Sequence, residues 1–252
     1  SMKSIGITSP LDHGSLMRAT MDTIEANLEH FRSGEDFVIT HNVSAGIPSG
    51  LAQQAALGTG PNIFIHLWPL SVWYPERAAC YDSGVPVVVV QRLEHPAAGL
   101  NPSIKHRDRL AFYLAEEAAQ NQDEKAWPLL ADSRGGITEG TTGNFMIIRG
   151  GILMSPPVEV ALPGITRQVI AELAQKLGID FMEYPISRDE LIEADEAFFS
   201  ASTFVIMPVS KIDGRALGQP VPGATTSKLM TAFRDLVDLD FVAQGKRYAN
   251  LI

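Results

Sequence analysis

Cysteine is almost absent from this chain of 252 residues, and acidic residues outnumber basic ones. The single cysteine, Cys80, excludes a disulfide within the chain and is typical of a reducing compartment, so we expect a cytoplasmic location. Twenty Lys and Arg against 29 Asp and Glu give a formal charge of −9. This balance argues against nucleic acid and anionic membranes as partners, because both bind basic patches.

Long hydrophobic runs are also missing. No stretch reaches the roughly 18–20 apolar residues of a membrane span, and the first residues lack the pattern of a signal peptide, so we expect neither. The six histidines show no metal-ligand spacing and Cys80 has no partner cysteine, which predicts no metal site. What is present is a hydrophobic content of 45%, enough to bury a substantial core in one or two domains.

Strand and helix patterns alternate along the chain, which predicts a mixed α/β (α+β) fold. Apolar residues at helical spacing predict helices over 11–31, 108–120, 165–177 and 225–237, and a short helix from Asp189. Alternating or continuous apolar runs predict strands over 37–43, 62–68, 85–93, 127–131, 143–148, 152–154, 179–184, 197–201 and 205–211.

Two features between residues 129 and 167 indicate a ligand. Glu139 lies in a segment with little other charge, just before an apolar strand candidate, and a carboxylate buried there needs a cationic or N–H partner. Further on, Gly164-Ile165-Thr166 opens a strongly amphipathic helix, whose free N–H groups and positive dipole end favour a phosphate. Together they suggest a ligand with a phosphate and a basic ring nitrogen.

Lys105 lies in a basic segment at the predicted start of a helix. The helix end, protonated His106 and the nearby Arg107 and Arg109 would favour the neutral amine, the nucleophile that Schiff-base chemistry needs. A lysine in such a cluster is more often a solvated surface group, so these residues alone leave both interpretations open.

The order of motifs along the chain resembles that of the class IV aminotransferases, pyridoxal-phosphate enzymes of fold type IV. This family includes branched-chain and D-amino acid aminotransferases, R-selective amine transaminases and aminodeoxychorismate lyase. The resemblance covers nearly the whole chain. It is carried by Thr138-Glu139-Gly140, Asn144-Phe145, Leu162-Pro163-Gly164-Ile165-Thr166-Arg167, Ala194-Asp195-Glu196 and Pro208-Val209.

The resemblance implies a role for each matching residue. Lys105 precedes Glu139 by 34 residues (139 − 105), the family's spacing between its Schiff-base lysine and its ring-nitrogen glutamate. Lys105 would then bind pyridoxal 5'-phosphate and move the substrate proton, while Glu139 would keep the ring nitrogen protonated. Ile165, Thr166 and Ser202 would hold the phosphate.

Further residues follow from the same resemblance. Arg109 and Asn144 are assigned to the surroundings of the cofactor, with Asn144 interpreted as support for a loop. Ala201-Ser202-Thr203 stands where many branched-chain enzymes have Gly-Thr-Ala, a turn that meets the phosphate and the substrate carboxylate. We therefore assign this turn to substrate binding, although its side chains are bulkier.

The implied function is transfer of an amino group between an amino acid, branched-chain-like or D-configured, or a related amine, and a 2-oxo acid. The alternative is a lyase of the aminodeoxychorismate type, because Leu110 replaces a typical tyrosine and Lys105-His106-x-x-Arg109-Leu110 is closer to that branch. A third hypothesis is a non-catalytic relative that binds cofactor or partner proteins. The presence of both Lys105 and Glu139 counts against it.

The resemblance also implies a homodimer, with a small N-terminal domain over 1–97 and a large cofactor-binding domain over 98–252. The segment from Ser1 to Ile7 resembles an internal family segment, which follows a His-x-x-Arg-Leu run whose arginine binds the phosphate. We therefore expect the small domain to lack its first strands here. No other arginine can be assigned this role from the sequence; Arg167, at the predicted helix start, is the nearest candidate and is interpreted as structural.

Overall fold

The computed structural model describes residues 1–47, 60–91, 101–218 and 220–250. Contacts divide the chain into two compact units, one of Ser1–Pro75 with Tyr248–Ile252 and the other of Glu76–Arg247. The division follows Pro75 because the next long strand hydrogen-bonds to strands of the second unit. The predicted domain boundary at residues 97 and 98 lies outside the described residues. The same holds for the last two residues of the strand predicted over 85–93 and for residues 48–59.

The first unit contains a helix and a two-stranded antiparallel sheet. Helix α1 (His13–Glu25) begins after Asp12, whose carboxylate accepts the Ser15 N–H at 2.7 Å. This bond holds the pKa of Asp12 below its ordinary value and satisfies one of the free donors of the first turn. The helix predicted over 11–31 therefore begins at His13. It also ends earlier than predicted, at Glu25, and a 3-10 turn follows it. The strands are β1 (Phe37–Ser44) and β2 (Asn62–Pro69).

The second unit is built on one large sheet. Its strands are, in chain order, β3 (Val85–Gln91), β4 (Trp127–Ala131), β5 (Ile137–Gly140), β6 (Asn144–Arg149), β7 (Ile152–Ser155), β8 (Phe181–Glu183), β9 (Glu196–Ala201), β10 (Val205–Ile212) and β11 (Arg215–Ala216). The sheet order is β11-β10-β3-β4-β5-β6-β7-β8, and β9 pairs with both β6 and β10. That double pairing joins β10, β3, β4, β5, β6 and β9 into a closed ring of neighbours.

Helices connect these strands, and several of them pack against the sheet. They are α2 (Cys80–Ser83), α3 (Leu110–Gln120), α4 (Ile165–Lys176), α5 (Arg188–Ile192), α6 (Ala224–Val237) and α7 (Phe241–Ala249), whose last two residues belong to the first unit. Alternate residues of β6 and β9 pack against α4 and α6. The buried members of this core are Met146, Ile148, Leu153, Ile170, Leu173, Ala174, Phe198, Ile206 and Leu229.

Most predicted elements are present within one to three residues of the expected bounds. Among the numbered elements of the described residues, four were not predicted: the short helix α2, the strands β5 and β11, and helix α7. The strand β5 is only four residues long and reads Ile-Thr-Glu-Gly, so it carries no clear alternation. Helix α7 is short and rich in polar residues. None of the helices in the described ranges combines the length and apolar character that a bilayer crossing needs.

Candidate functional site

Glu139 lies on β5 and is only 8% exposed. The β5–β6 hairpin closes tightly, with the Gly140 N–H donating to Gly143 O at 2.9 Å. The partner that a buried carboxylate requires is a backbone amide, because the Leu162 N–H donates to Glu139 Oε2 at 3.0 Å. The site thus holds a carboxylate in place before any ligand binds.

Glu139 belongs to a row of polar side chains across three strands. It is directly opposite Asn144 on β6, and Asn144 is directly opposite Ser200 on β9. Directly opposed residues of antiparallel strands share one face of the sheet, so the three side chains form a line. Asn144 is 5% exposed and Ser200 1%. The Ser200 hydroxyl is buried and makes no hydrogen bond to any protein group that the structure describes.

Asn144 contacts the segment that leads into α4. Its Nδ2 donates to Leu162 O at 2.6 Å. Its Oδ1 lies so close to Gly164 that a Cβ on that residue would overlap it. The interpretation of Asn144 as support for a loop therefore has a structural basis.

The N-terminus of α4 follows directly. Gly164 is the N-cap and offers no side-chain hydrogen bond to the first turn. Ile165 is 79% exposed and Thr166 is buried. The first N–H groups of a helix have no partner within the helix, and here no side chain caps them, so this end can receive an anion. The predicted phosphate-binding start is thus an open helix end beside the Glu139 carboxylate.

The turn of Ala201, Ser202 and Thr203 joins β9 to β10. Ser202 is exposed and its two neighbours are partly buried. The next residue, Phe204, is fully buried, and its carbonyl accepts the Tyr81 hydroxyl at 3.0 Å. The inner side of the turn is therefore fixed by the core, and the Ser202 side chain is left at the surface.

Lys105 lies in an exposed, non-helical segment five residues before the first residue of α3, so its expected position at a helix start is wrong. The Asp108 carboxylate accepts the Leu110 N–H at 3.2 Å, which is where the helix begins. The field of a helix end falls off within its first turn, so α3 is not a source of activation for Lys105. Ile104, buried, anchors the segment next to the lysine.

Arg109 attaches this segment to the hairpin that carries Glu139. Its Nη1 donates to Thr141 O at 2.8 Å, and Thr141 lies in the β5–β6 turn. The guanidinium also lies over the Phe112 ring, 4.7 Å from the centroid, and 3.8 Å from Glu116. The side chain of Arg109 therefore serves local structure, and its assignment to the cofactor stays a prediction.

Arg167, the other arginine considered, lies in the first turn of α4 and is buried. Its Nε donates to Ser155 Oγ at 2.7 Å, and its Nη2 donates to Glu183 at 2.7 Å and to Pro156 O at 3.2 Å. These bonds agree with the structural interpretation.

The structure brings together most of the residues that the resemblance named, and it adds some that the sequence did not reveal. Glu139, Asn144 and the start of α4 meet at Leu162, and the Ala201–Thr203 turn follows Ser200 directly. The backbone of Leu162 and the Ser200 hydroxyl were missed, since neither a peptide group nor a buried serine carries a sequence signal. No three His, Cys, Asp or Glu side chains among the described residues are grouped closely enough to hold a metal ion.

Comparisons with known proteins point to one family. A family profile described as "Amino-transferase class IV" matches residues 1–212. A putative branched-chain-amino-acid aminotransferase of Methanocaldococcus jannaschii is 31% identical over 239 residues, 94% of this chain and 78% of that protein. A D-alanine aminotransferase of Bacillus licheniformis is 28% identical over 185 residues, 73% of this chain and 62% of that protein.

Solved structures with a similar fold include members of the same family. The branched-chain amino acid aminotransferase of Escherichia coli matches with a TM-score of 0.76 at 26% identity, covering 93% of this chain and 74% of that one. A putative 4-amino-4-deoxychorismate lyase of Legionella pneumophila matches with the same TM-score at 19% identity, covering 93% and 81%. At that identity the lyase shows the fold alone, so the fold does not separate transferase from lyase.

Proposed function

Because this chain belongs to the class IV aminotransferases, we propose that it binds pyridoxal 5'-phosphate and moves an amino group between an amino acid and a 2-oxo acid. The observation that carries the proposal is the meeting of a buried carboxylate, Glu139, with the uncapped N-terminus of α4 through the backbone of Leu162. A ligand with a basic ring nitrogen and a phosphate matches these two points.

The family predicted from the motifs is confirmed, as are the mixed α+β fold of type IV and an aminotransferase as the main functional prediction. The cofactor, the role of each site residue, the domain division, the homodimer and the cytoplasmic location are proposals for this chain.

The residues present fit the cofactor. The first-turn N–H groups at Ile165 and Thr166 have no side-chain cap and suit a dianionic phosphate. Ser202, exposed on the neighbouring turn, has a hydroxyl that can donate to the same group. Glu139 suits a protonated ring nitrogen, because its carboxyl group is buried and one of its oxygens is held in place by the Leu162 N–H.

When bound, pyridoxal phosphate supplies an electron sink for removal of the substrate Cα proton. Glu139 would hold a proton at the ring nitrogen. Lys105 would attach the cofactor through its amine and then take and return the substrate proton as general base and acid. The Ala201–Thr203 turn would bind the substrate carboxylate through its backbone N–H groups, which tolerate the bulkier side chains.

A two-part assay of the purified protein tests the proposal. Incubated with an amino acid and the cofactor but no 2-oxo acid, it should convert one equivalent per site and stop. Adding a 2-oxo acid should restart turnover. A branched-chain L-amino acid and D-alanine, tried separately, would identify the donor class.

The lyase alternative is favoured by one feature, the Lys105-His106-x-x-Arg109-Leu110 run. A lyase of that type releases pyruvate and needs no acceptor. Sustained pyruvate release from aminodeoxychorismate without any 2-oxo acid, together with no half-reaction on amino acids, would replace the transferase with the lyase. Failure to bind pyridoxal phosphate at all would leave the non-catalytic relative.

A further inference from the structure

Asn144 occupies a position between the two ends of the proposed site without reaching the surface. It lies opposite Glu139 in the sheet, and it contacts both Leu162 and Gly164 at the entrance to α4. We propose that Asn144 is a positioning residue, which holds the Glu139 carboxylate and the N-terminus of α4 in one fixed geometry. This inference rests on the proposed function, since those two ends are the proposed cofactor contacts.

The first step concerns Leu162, whose two backbone polar groups are bound by neighbouring strands. Its N–H donates to Glu139 on β5 at 3.0 Å, and its carbonyl accepts Asn144 on β6 at 2.6 Å. The same carbonyl accepts the Gly164 N–H at 2.8 Å. Both neighbouring peptide groups of Leu162 are therefore fixed relative to the sheet, and the carboxylate is fixed with them.

The second step concerns why position 164 is a glycine. Its backbone angles, φ −68° and ψ 138°, are ones that any residue adopts, so conformation does not require glycine. What excludes a Cβ is the Oδ1 of Asn144. The nearest atom from another residue is the Cβ of Arg167 at 3.7 Å, an ordinary contact. Asn144 and Gly164 are thus matched to each other.

The consequence for the site is a fixed spacing. Only Pro163 and Gly164 separate Leu162, which binds the carboxylate, from the first residue of α4. A cofactor with a rigid ring and a short phosphate arm must meet both ends at once, so freedom between them lowers affinity and misplaces the ring. Asn144 removes that freedom without touching the ligand.

A double-mutant cycle on stability tests the match. Gly164→Ala alone should lower the folding equilibrium constant at least about tenfold, since the new methyl group overlaps Asn144. In an Asn144→Ala background the same change should cost less than about threefold. Equal costs in the two backgrounds, measured by urea unfolding, would overturn the proposal.

Hydrogen exchange of the Leu162 amide, in protein without cofactor, tests the positioning itself. Asn144→Ala should raise the exchange rate about tenfold, because a buried hydrogen bond on the same residue is lost. Asn144→Asp, which keeps the shape but removes the donor, should do the same if the alanine variant fails to fold. Thr138→Val is the matched control. It removes a buried hydrogen bond to Leu130 O from the other face of β5 and should leave Leu162 unchanged.

Cofactor binding separates this inference from the function on which it rests. Asn144→Ala should bind pyridoxal phosphate about tenfold more weakly and shift the absorption band of the bound cofactor, while Thr138→Val should do neither. Wild-type affinity and spectrum in Asn144→Ala would overturn the positioning role. If the wild-type protein itself binds no cofactor, the proposed function fails, and the stability cycle and amide exchange still decide whether Asn144 fixes Leu162.

Discussion

The two halves of the proposed site are built in opposite ways. Glu139, Asn144 and Thr166 are all at least nine-tenths buried and are tied to the sheet or to α4, whereas Lys105 and Ser202 are exposed. The buried groups proposed to bind the ring and the phosphate are held by hydrogen bonds that exist without a ligand. The amine proposed to react, that of Lys105, lies on an exposed segment whose neighbouring residue, Ile104, is buried in the core. Substitutions in the buried half should therefore change both stability and chemistry, and those in the exposed half chemistry alone.

The largest effect is expected at Lys105. Lys105→Ala should lower the turnover number at least about a thousandfold, because general acid–base catalysis alone contributes about 10²–10⁴. Stability should change by less than about 0.5 kcal/mol, since the side chain is exposed. Steady-state kinetics and urea unfolding measure the two quantities.

The control is Lys211→Gln. Lys211 pairs with Asp123 at 2.8 Å, and the variant enzyme should keep its activity. Borohydride reduction and peptide mapping should place the cofactor on Lys105. A label on Lys125 or Lys211 would contradict the assignment.

Substitution of Glu139, unlike that of Lys105, should change both the rate of the reaction and the stability of the fold. Glu139→Gln should slow the half-reaction at least about a hundredfold, as loss of a preorganised charge does, while weakening cofactor binding far less. Glu139→Ala should in addition lower stability by about 1–3 kcal/mol, because it leaves the Leu162 N–H without its acceptor. Single-turnover kinetics and urea unfolding test both. A near-normal half-reaction in Glu139→Ala would remove this residue from the mechanism.

A smaller effect is expected at Ser202. Ser202→Ala should weaken cofactor affinity about tenfold, as loss of one charge-assisted hydrogen bond predicts, with no change in stability. Ser202→Thr keeps the hydroxyl and should restore affinity. Fluorescence titration of the cofactor measures both variants. Equal affinity in wild type and Ser202→Ala would show that the hydroxyl does not meet the phosphate.

The smallest effect concerns an ion pair away from the named residues. The hydrogen bond from Lys211 holds the pKa of Asp123 below its ordinary value, which is about 3.9. A carboxyl whose pKa is lowered on folding contributes stability above its unfolded pKa, and loses it as pH falls through the folded one. Asp123→Asn should thus flatten the loss of stability below about pH 4, measured by urea unfolding, and leave activity at pH 7 unchanged. An unaltered pH profile would show that the pair contributes nothing.

The sequence predicted the elements whose pattern is long and regular. The helix expected over 165–177 is Ile165–Lys176, and the one over 225–237 is Ala224–Val237. The short strand β5 was not predicted, because its four residues show no regular apolar alternation, and their burial follows from packing in the sheet between β4 and β6. The helix expected from 108 begins two residues later, where the Asp108 carboxylate binds its first amide.

For the site, the motifs identified which residues matter, and the structure supplied how they are held. Neither the two hydrogen bonds between side chains and the Leu162 backbone nor the exclusion of a Cβ at Gly164 by Asn144 depends on a local pattern. The sequence gives the identity of each side chain, whereas these contacts involve backbone groups and the space available around a glycine, which only the folded structure shows. The hydrogen bond from Arg109 to the Thr141 carbonyl could not be predicted for the same reason.

Val205, the second residue after the Ala201–Thr203 turn, has φ +59°, a strained backbone for a β-branched side chain. Its own identity disfavours this conformation, so the turn is held by the buried ring of Phe204 and by the Tyr81 hydroxyl on the Phe204 carbonyl. The consequence concerns which sequences can share this turn. A relative with glycine at the position of Val205 adopts the bend without strain, and is expected to tolerate loss of the tyrosine hydroxyl. A relative with a β-branched residue there is expected to retain it.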